Sequence, residues 1–275
     1  MRGVDNIYPF PDRRQIDPAV VELSIVVPVF NEVDNVRRVA TEVIATFERL
    51  GSPFELLFVD DGSNDGTHDA LERLIRQDPR VRALRHARRA GQSSALRTGV
   101  LHSRSSLVAV LDGDGQNDPA DLPEMLSQFA DLDNETEGNA GMLIGHRVDR
   151  RDRWSKRVAS RLANRVRRWV LRDGTPDSGC GIKVFRRSSF LDLPAVDHMH
   201  RFLPALFRSA GYAIESMPVH HRERVAGDSK YGIRDRLLPG IVDLVGVAWL
   251  TRRRAVSVRP VPMLPDDDSD SPTRT

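Results

Sequence analysis

Apolar runs and helical spacing alternate along the first half of the chain. The run LSIVVP (Leu23–Pro28) predicts a buried strand, and apolar positions then recur every three or four residues up to Gly51. Those positions are Val33, Val36, Val39, Val43 and Phe47. Because this spacing places an apolar stripe along a helix, and because glycine commonly ends helices, we expect a helix that stops before Gly51.

The alternation continues as far as residue 111. Further strands are predicted at Phe54–Val59, Val81–Arg85 and Leu107–Leu111, and further helices at Thr67–Gln77 and Gln92–His102. Strands and helices that alternate with short connections predict an α/β protein, with an open, mostly parallel, Rossmann-like sheet covered by helices on both faces in a single domain. Ligands of such sheets bind outside the carboxyl ends of the strands.

The second half is less regular. The pattern predicts a loop at 131–139, a strand at Met142–Gly145, a basic helix at 153–171, a strand at Ile182–Phe185, a helix near Arg201–Ser209 and a strand at Ala213–Val219. We divide the chain into a flexible N-terminal arm at 1–22, the main domain at 23–231, an amphipathic segment at 232–255 and a disordered acidic tail at 256–275.

The composition is that of an ordinary globular protein. Of 275 residues, 40% are hydrophobic and 29% are charged, and the net charge is +2. The single cysteine, Cys180, excludes a disulfide within the chain and fits a reducing compartment. The N-terminus lacks the apolar core of a signal peptide, and the longest apolar stretch, Leu237–Leu250, contains Asp243 and is too short to cross a bilayer. We therefore expect a cytoplasmic protein.

Two carboxylates follow the predicted strand Leu107–Leu111, in the sequence VLDGDGQNDP. Asp112 and Asp114 point the same way if the backbone stays extended, and carboxylates held so close cannot both ionise comfortably without a cation. Mg²⁺ or Mn²⁺ with oxygen ligands satisfies both, particularly where a substrate phosphate completes the coordination shell. Gln116 offers a further neutral oxygen ligand.

The Asp-x-Asp motif also occurs in other kinds of site. A calcium-binding EF-hand loop is excluded, because its sixth and twelfth positions require glycine and glutamate and are here Asn117 and Pro123. An aspartate-nucleophile phosphatase and a solvated turn are both compatible with the motif taken alone.

Cationic and apolar side chains repeat side by side in the predicted basic helix. Arginines recur at 153, 157, 161, 165 and 168, and apolar residues recur one position later. A cationic face beside an apolar face suits a membrane surface or a phosphate-bearing lipid. Nucleic acid and a merely solvated face are the alternatives.

Three motifs in order carry a resemblance to a known family. VVPVFNE (Val26–Glu32), FVDDGSNDGT (Phe58–Thr67) and the Asp-x-Asp loop resemble the family-2 glycosyltransferases with a GT-A fold. Within the family, the chain is most similar to dolichol-phosphate mannosyltransferases and other synthases that move a hexose from a nucleotide sugar to a polyprenyl phosphate. The resemblance extends from about Leu23 to Arg254.

The resemblance implies a donor pocket at the carboxyl edge of the sheet. The pocket for the nucleotide sugar would be lined by Pro28, Asn31, Glu32, Asp60, Asp61 and Asp112. Asp60 would reach the base or ribose, because carboxylates accept hydrogen bonds from ribose hydroxyls and base N–H groups. Mg²⁺ or Mn²⁺ on the diphosphate would be held by Asp112, Asp114 and Gln116.

Two further motifs are assigned by the resemblance to phosphate groups. The family's Arg-x-x-Gly-x-Ser-Lys loop folds over the donor diphosphate and is matched by Arg224, Gly227, Ser229 and Lys230. The acceptor phosphate would be bound by Arg147, by either Lys156 or Arg157, and by Ser160. Asp177 is the acidic member of the segment that closes the acceptor side.

The implied reaction is inverting transfer of a hexose from a GDP-mannose or UDP-glucose type of donor to a polyprenyl phosphate such as undecaprenyl phosphate. The attacking phosphate is already ionised at neutral pH, so catalysis by Asp114, Arg224 and Lys230 rests on positioning and charge neutralisation rather than on a strong base. The expected partners are the donor, the lipid acceptor and a membrane surface or integral membrane partner at the inner face of the cytoplasmic membrane, with no nucleic acid.

Two other functions stay open at this point. One is transfer to a saccharide or other soluble hydroxyl acceptor in cell-envelope polysaccharide synthesis, which would require a general base. The other is a non-catalytic scaffold that binds nucleotide sugars.

Overall fold

The secondary structure follows the predicted alternation. The structure, a computed structural model, describes residues 7–9, 21–148, 167, 170–171, 173–222 and 233–253. Its strands are β1 (Ile7–Pro9), β2 (Leu23–Val29), β3 (Phe54–Asp60), β4 (Val81–His86), β5 (Leu107–Val110), β6 (Ala140–Arg147), β7 (Lys183–Arg186) and β8 (Ala213–Val219). Its α-helices are α1 (Val36–Leu50), α2 (Thr67–Gln77), α3 (Gln92–His102), α4 (Leu122–Glu135), α5 (Arg187–Leu191), α6 (Leu203–Ser209) and α7 (Ile233–Arg253).

One eight-stranded sheet runs in the order β1-β4-β3-β2-β5-β7-β6-β8. The pairs β4–β3, β3–β2, β2–β5 and β6–β8 are parallel, whereas β1 pairs antiparallel with β4, and β7 antiparallel with both of its neighbours. The predicted mostly parallel sheet is confirmed. Because crossovers are right-handed, α1 and α2 cover one face, and α3, which leads back from β4 to β5, covers the other.

The core is built on strands buried along their whole length. Every residue of β2 and β3 is buried, as expected for central strands covered on both faces. Helix α1 packs on the sheet through the apolar stripe predicted from the spacing, and Gly51, in the left-handed conformation at φ 67°, ends the helix. The buried members of the stripe are Val36, Val39, Val43 and Phe47.

The predicted loop at 131–139 is wrong in its first part. Helix α4 extends to Glu135, and its buried positions, Leu122, Met125, Phe129 and Leu132, recur at helical spacing. Pro123 stands in the first turn, where its missing N–H costs no hydrogen bond, so it begins the helix rather than breaking it. Acidic residues near its end concealed the pattern.

The predicted flexible arm at 1–22 also needs correction. Residues Ile7–Pro9 form β1, which pairs antiparallel with β4 in the register Ile7↔His86 and Pro9↔Leu84. Val21 is buried as well. Strand β4 would otherwise leave a row of backbone groups unpaired at the sheet edge, and a short strand ending in proline covers that edge.

A buried acid lies near the amino ends of the parallel strands. Glu55 is fully buried, and Oε1 accepts hydrogen bonds from Ser24 Oγ at 2.5 Å and Arg104 N at 2.6 Å. Oε2 accepts from Arg82 Nη1 at 2.5 Å. Both oxygens of this carboxylate are therefore satisfied by the protein itself.

Helix α7 presents two different faces. Val247 and Ala248 are buried, whereas Val242, Val245 and Trp249 are 70%, 64% and 61% exposed. Asp243 Oδ2 lies 2.8 Å from His198 Nδ1, a close contact between the helix and the segment before α6. Among the helices that the structure describes, none is long and apolar enough to span a membrane.

Close packing of α3 on the sheet generates a stability prediction. A Cβ at Gly99 would lie 2.3 Å from Val26 Cγ1, so Gly99→Ala should lower the free energy of unfolding by about 1–3 kcal/mol in urea denaturation. Gly246→Ala is the matched control, because that helical glycine has open space around its Cα and alanine should raise stability by up to about 1 kcal/mol. Equal effects of the two substitutions would contradict this packing.

Candidate active site

The loops after β2, β3 and β5 meet at one edge of the sheet, because these strands are parallel neighbours. Val29 pairs in register with Asp60, and a Cβ added at Gly113 would come within 2.9 Å of Pro28 O. The structure therefore brings together the predicted residues of these loops. They are Pro28, Asn31, Glu32, Asp60, Asp61, Asp112, Asp114 and Gln116.

Asp60 is fully buried at the end of β3. Its Oδ1 accepts a hydrogen bond from Ser63 N at 2.8 Å, and its Oδ2 lies 3.4 Å from Arg85 Nε. Within the described residues, Oδ2 accepts no hydrogen bond. A buried carboxylate oxygen with acceptor capacity left over suits the predicted contact with a ribose hydroxyl or base N–H.

The neighbouring Asp61 is used inside the protein. Its Oδ1 accepts from His86 Nδ1 and Ala90 N, both at 2.8 Å, and its Oδ2 accepts from Gly91 N at 2.7 Å. His86 Nε2 in turn lies 3.0 Å from Thr98 Oγ1, so both ring nitrogens are occupied. Asp61 therefore fixes the turn that leads into α3, and its direct contact with a nucleotide stays a prediction.

Asn31 and Glu32 fasten the loop after β2 to the loop after β3. Asn31 is in the left-handed conformation at φ 54°, and its amide exchanges hydrogen bonds of 2.9 Å with the side chain and the N–H of Asn64. Asn31 N donates to Ser63 Oγ and Glu32 N to Thr67 Oγ1, both at 2.9 Å. The loops after β2 and β3 therefore form one connected wall.

The Asp-x-Asp loop does not continue the strand. Strand β5 ends at Val110, and Asp114 Oδ1 accepts a hydrogen bond from Gln116 N at 3.1 Å, which makes a turn of the loop. The condition of an extended backbone is therefore not met, because the chain turns at Gly113 and Asp114, and Gly115, at φ 71°, continues the bend. Asp112 Oδ1 accepts from Gln92 Nε2 at 3.1 Å.

The two carboxylates remain electrostatically coupled despite the turn. Burial, and then the negative charge of Asp114, raise the pKa of Asp112 above its ordinary value, while Lys183 and Arg147 oppose the rise. Lys183 is buried on β7, opposite Val110, and donates to Cys180 O. Burial lowers the pKa of this lysine, although the charge of Asp112 works against that effect.

Sequence reasoning missed Lys183. A lysine inside the apolar run of a buried strand, GIKVF, is the signal that could have found it, because lysine is almost never fully buried without a partner.

The loop fits a divalent cation. Among the described residues, no group of three or more His, Cys, Asp and Glu side chains converges, so Asp112 and Asp114 would need oxygen ligands from elsewhere. Gln116 Nε2 donates to Arg222 O at 3.3 Å, which leaves the amide oxygen of Gln116 as the atom to bind a metal. A Cβ at Gly181 would lie 2.0 Å from Asp112 Oδ2, so the glycine keeps room for that carboxylate. Two carboxylates, an amide oxygen and substrate phosphate form the hard oxygen set of Mg²⁺ or Mn²⁺.

Arg147 lies at the end of β6 and is held by Asp177. Its Nε and Nη2 donate to Asp177 Oδ2 and Oδ1 at 2.6 and 2.9 Å, a bidentate pair. Burial acts to lower the pKa of Arg147, but the hydrogen bonds and charge of Asp177 raise it above its ordinary value, so the guanidinium stays charged. The positive charge of the guanidinium also acts to lower the pKa of Asp112, so the predicted acceptor side interacts electrostatically with the Asp-x-Asp loop.

The other predicted phosphate ligands lie outside the described residues. They are Lys156, Arg157 and Ser160 on the acceptor side, and Arg224 and Lys230 on the donor side. The assignment of these residues stays a prediction.

Cys180 and His200 have roles in packing and hydrogen bonding inside the protein. Cys180 is fully buried, and burial raises the pKa of its thiol, which is the reverse of what a nucleophile needs. His200 Nδ1 lies 2.8 Å from Ser93 Oγ, and burial, followed by the charge of Arg201, lowers the pKa of His200 to about 3. This neutral histidine fixes the segment before α6 to the start of α3.

The fold and this site define the class of protein. A mostly parallel sheet with an Asp-x-Asp loop at its carboxyl edge is a GT-A glycosyltransferase domain, as the resemblance implied. Residues 24–193 match the family described as Glycosyl transferase family 2, and the chain belongs to this family.

Two relatives are similar to the chain in sequence. The chain is 35% identical over 240 residues to the undecaprenyl-phosphate 4-deoxy-4-formamido-L-arabinose transferase of Edwardsiella ictaluri (strain 93-146), across 86% of this chain and 70% of the relative. It is 34% identical over 250 residues to the dodecaprenyl-phosphate galacturonate synthase of Rhizobium johnstonii (strain DSM 114642 / LMG 32736 / 3841), across 89% of this chain and 72% of the relative.

Two solved structures share the fold. The mannosyltransferase PcManGT from Pyrobaculum calidifontis in complex with GDP-Man and Mn²⁺ has a TM-score of 0.60 and 21% identity, covering 88% of this chain and 67% of that chain. Glucosyl-3-phosphoglycerate synthase from Mycobacterium tuberculosis, in complex with Mn²⁺, UDP-Glc and phosphoglyceric acid, has a TM-score of 0.61 and 17% identity, covering 84% of this chain and 81% of that chain.

The strain at Asp112 generates a prediction about stability. A carboxyl group whose pKa is raised by folding destabilises the ionised protein at neutral pH, and this cost disappears as the pH falls through the raised value. Asp112→Asn should therefore raise the melting temperature of the metal-free protein near neutral pH, with a smaller difference in acid.

Bound ligand should reverse this order. With saturating Mn²⁺ and nucleoside diphosphate, the wild type gains binding free energy that Asp112→Asn loses. Differential scanning calorimetry measures both states, and Asp131→Asn, an exposed carboxylate on α4, serves as the control. A metal-free Asp112→Asn protein that melts at or below the wild-type temperature would show that the ionised carboxylate of Asp112 does not destabilise the fold.

Proposed function

We propose that this protein transfers a sugar from a nucleoside-diphosphate sugar to a polyprenyl phosphate, with a divalent cation at Asp112 and Asp114. One observation carries the proposal: the acidic loop after β5 and the charged guanidinium of Arg147, at the end of β6, lie on either side of β7, and the charge of Arg147 acts on Asp112. The donor carries a metal-binding diphosphate, and the acceptor carries an anionic phosphate. The carboxylates of the acidic loop and the guanidinium of Arg147 therefore match the two substrates. The names of both relatives, which specify undecaprenyl and dodecaprenyl phosphate, support the lipid acceptor.

The residues of the chain divide the work between the substrates. Asp60 would accept from the ribose or base, and Asn31 and Glu32 would hold the wall beside it. Asp112, Asp114 and Gln116 would hold Mg²⁺ or Mn²⁺, which when bound neutralises charge on the departing diphosphate. Arg224 and Lys230 are proposed to add positive charge on the same side.

On the acceptor side, Asp177 engages Nε and Nη2 of Arg147, and the remaining Nη1 is proposed to bind the lipid phosphate with an orientation that this ion pair fixes. Lys156 or Arg157, with Ser160, is proposed to complete that phosphate site. The second pKa of a phosphate monoester is about 6, so the attacking oxygen is ionised at neutral pH and needs no general base. The buried His86–Asp61 pair, with both ring nitrogens engaged, agrees with a reaction that uses none. In-line attack on the anomeric carbon gives inversion.

A transfer assay tests the proposal. Purified protein is incubated with Mn²⁺, undecaprenyl phosphate and a panel of UDP- and GDP-sugars, and a charged glycolipid product is expected. Asp114→Ala and Arg224→Ala should each lower kcat/KM by about a hundredfold or more, since each removes charge stabilisation of the leaving group. The residue Leu101, exposed on α3, supplies the control variant Leu101→Ser.

The acceptor panel separates the alternatives. 3-Phosphoglycerate and free saccharides are included as soluble acceptors. Product with these acceptors only would overturn the lipid assignment, and full turnover in Asp114→Ala would overturn the metal site.

We further propose that the protein lies on the inner face of the cytoplasmic membrane through α7. The exposed side chains Val242, Val245 and Trp249 lie on one helical face, and the exposed Arg252 and Arg253 follow at its end. Apolar residues beside arginines match an anionic bilayer surface, where the lipid acceptor resides.

Vesicle binding tests this placement. Trp249→Ser should weaken binding to vesicles of phosphatidylglycerol and phosphatidylethanolamine about tenfold, because it removes a large apolar side chain from the interface. Leu101→Ser, an exposed apolar residue on another surface, should leave vesicle binding unchanged. Equal vesicle binding by Trp249→Ser and the wild type in co-sedimentation would count against the membrane contact.

A further inference from the structure

Four charged side chains join the outer face of α1 to the segments beside the Asp-x-Asp loop (residues 112–116), which we call the metal loop because of its proposed ligand. Glu42 accepts from Arg38 Nε at 2.9 Å through Oε1 and from Arg222 Nη1 at 2.7 Å through Oε2. Arg222 Nη2 lies 2.5 Å from Asp118 Oδ2. We call Arg38, Glu42, Asp118 and Arg222 the α1 clamp.

The α1 clamp holds the metal loop from both sides. Arg38 Nη2 donates to Gly115 O at 3.2 Å, and Arg222 N donates to Gln116 O at 2.9 Å. Gln116 Nε2 returns a hydrogen bond to Arg222 O. The two residues that follow Asp114 are therefore fixed by one arginine on α1 and by another on the segment after β8.

The segment after β8 is itself bound to the metal loop. Asn117 and His221 form an antiparallel β-bridge. The backbone N–H of His220 donates to Asp121 Oδ2, and His220 Nδ1 lies 2.7 Å from Asp121 Oδ1. Residues 220–222 therefore run along residues 116–121 as a short ribbon.

Both arms of the Arg222 guanidinium face carboxylates. Burial acts to lower the pKa of Arg222, but hydrogen bonding and charge from Asp118, and the charge of Glu42, raise it, so the group stays cationic. Because Nη1 and Nη2 each hold a carboxylate of a different segment, the guanidinium links Glu42 on α1 to Asp118.

We propose that Glu42 and Arg222 are positioning residues, which hold the metal loop and the segment after β8 as one unit and do not contact the substrate. The inference rests on the proposed function in one respect, that the loop binds a metal–nucleotide complex. Isolated surface ion pairs contribute little, but Glu42 is shared by two arginines that hold two segments, so its loss releases both at once.

The test measures binding of Mn²⁺ with UDP, and separately with GDP, to the full-length protein by calorimetry. Glu42→Gln and Arg222→Met should each weaken binding of the nucleotide that the wild type binds by about five- to tenfold. The double variant should be no weaker than about the worse single variant, because both changes remove the same clamp. Glu48→Gln, which breaks a 2.7 Å pair with Arg80 on the same helix away from the site, should bind as the wild type does.

The alternative predicts the opposite sign. If Arg222 binds the diphosphate directly, Glu42→Gln frees its guanidinium, and nucleotide binding becomes unchanged or tighter while Arg222→Met alone weakens it. That outcome would overturn the positioning role.

A ligand-free measurement separates this inference from the proposed function. Hydrogen exchange of the amides in residues 113–118 should quicken about five- to tenfold in Glu42→Gln and in Asp118→Asn, but not in Glu48→Gln. Unchanged exchange would refute the clamp even if nucleotide binds normally. If wild-type protein binds neither nucleotide with Mn²⁺, the proposed function fails, and the exchange result still decides the clamp.

Discussion

Negative charge gathered at the carboxyl edge of a buried sheet is the constraint on which the rest of the structure depends. The same sheet shows the contrast at its other end, where the fully buried Glu55 has both oxygens satisfied by side-chain and backbone donors. Asp112 receives one hydrogen bond from Gln92, while Lys183 and Arg147 act on it through charge. The fold therefore compensates one acid completely and leaves the other partly uncompensated at the edge where ligands of parallel sheets bind.

The first half of the fold could be predicted because each buried run in it has sharp polar boundaries. Helices α2 and α3 match the predicted limits, and β2, β3 and β4 differ by one residue at their ends. In the second half, strand β8 also matches its predicted limits. Helix α4 was concealed because Pro123 and acidic residues interrupt an otherwise regular apolar spacing. Strand β1 could not be predicted, because it forms by pairing with the open edge of β4, which is distant in the sequence.

The kind of site could be predicted, but not the part played by each side chain. Asp60 and Asp61 are adjacent in sequence, and only the folded loop shows that the second is fully occupied by His86 and the turn before α3. Nothing near Glu42 in the sequence indicates a site, because its partner Arg222 is brought to α1 by the last strand of the sheet. Residue type and spacing identify chemistry, whereas the direction of a side chain is decided by tertiary packing.

The exposed face of α7 has a consequence for how tightly an acceptor must be bound. The helix is tied by Asp243 to His198, and His200, two residues further on, is bound to Ser93 beside Gln92, the residue that donates to Asp112. A protein seated on a bilayer through this helix would search for its lipid in two dimensions, at a high effective concentration. Attachment would then supply much of the encounter, and the phosphate pocket itself could bind weakly enough to release a charged product.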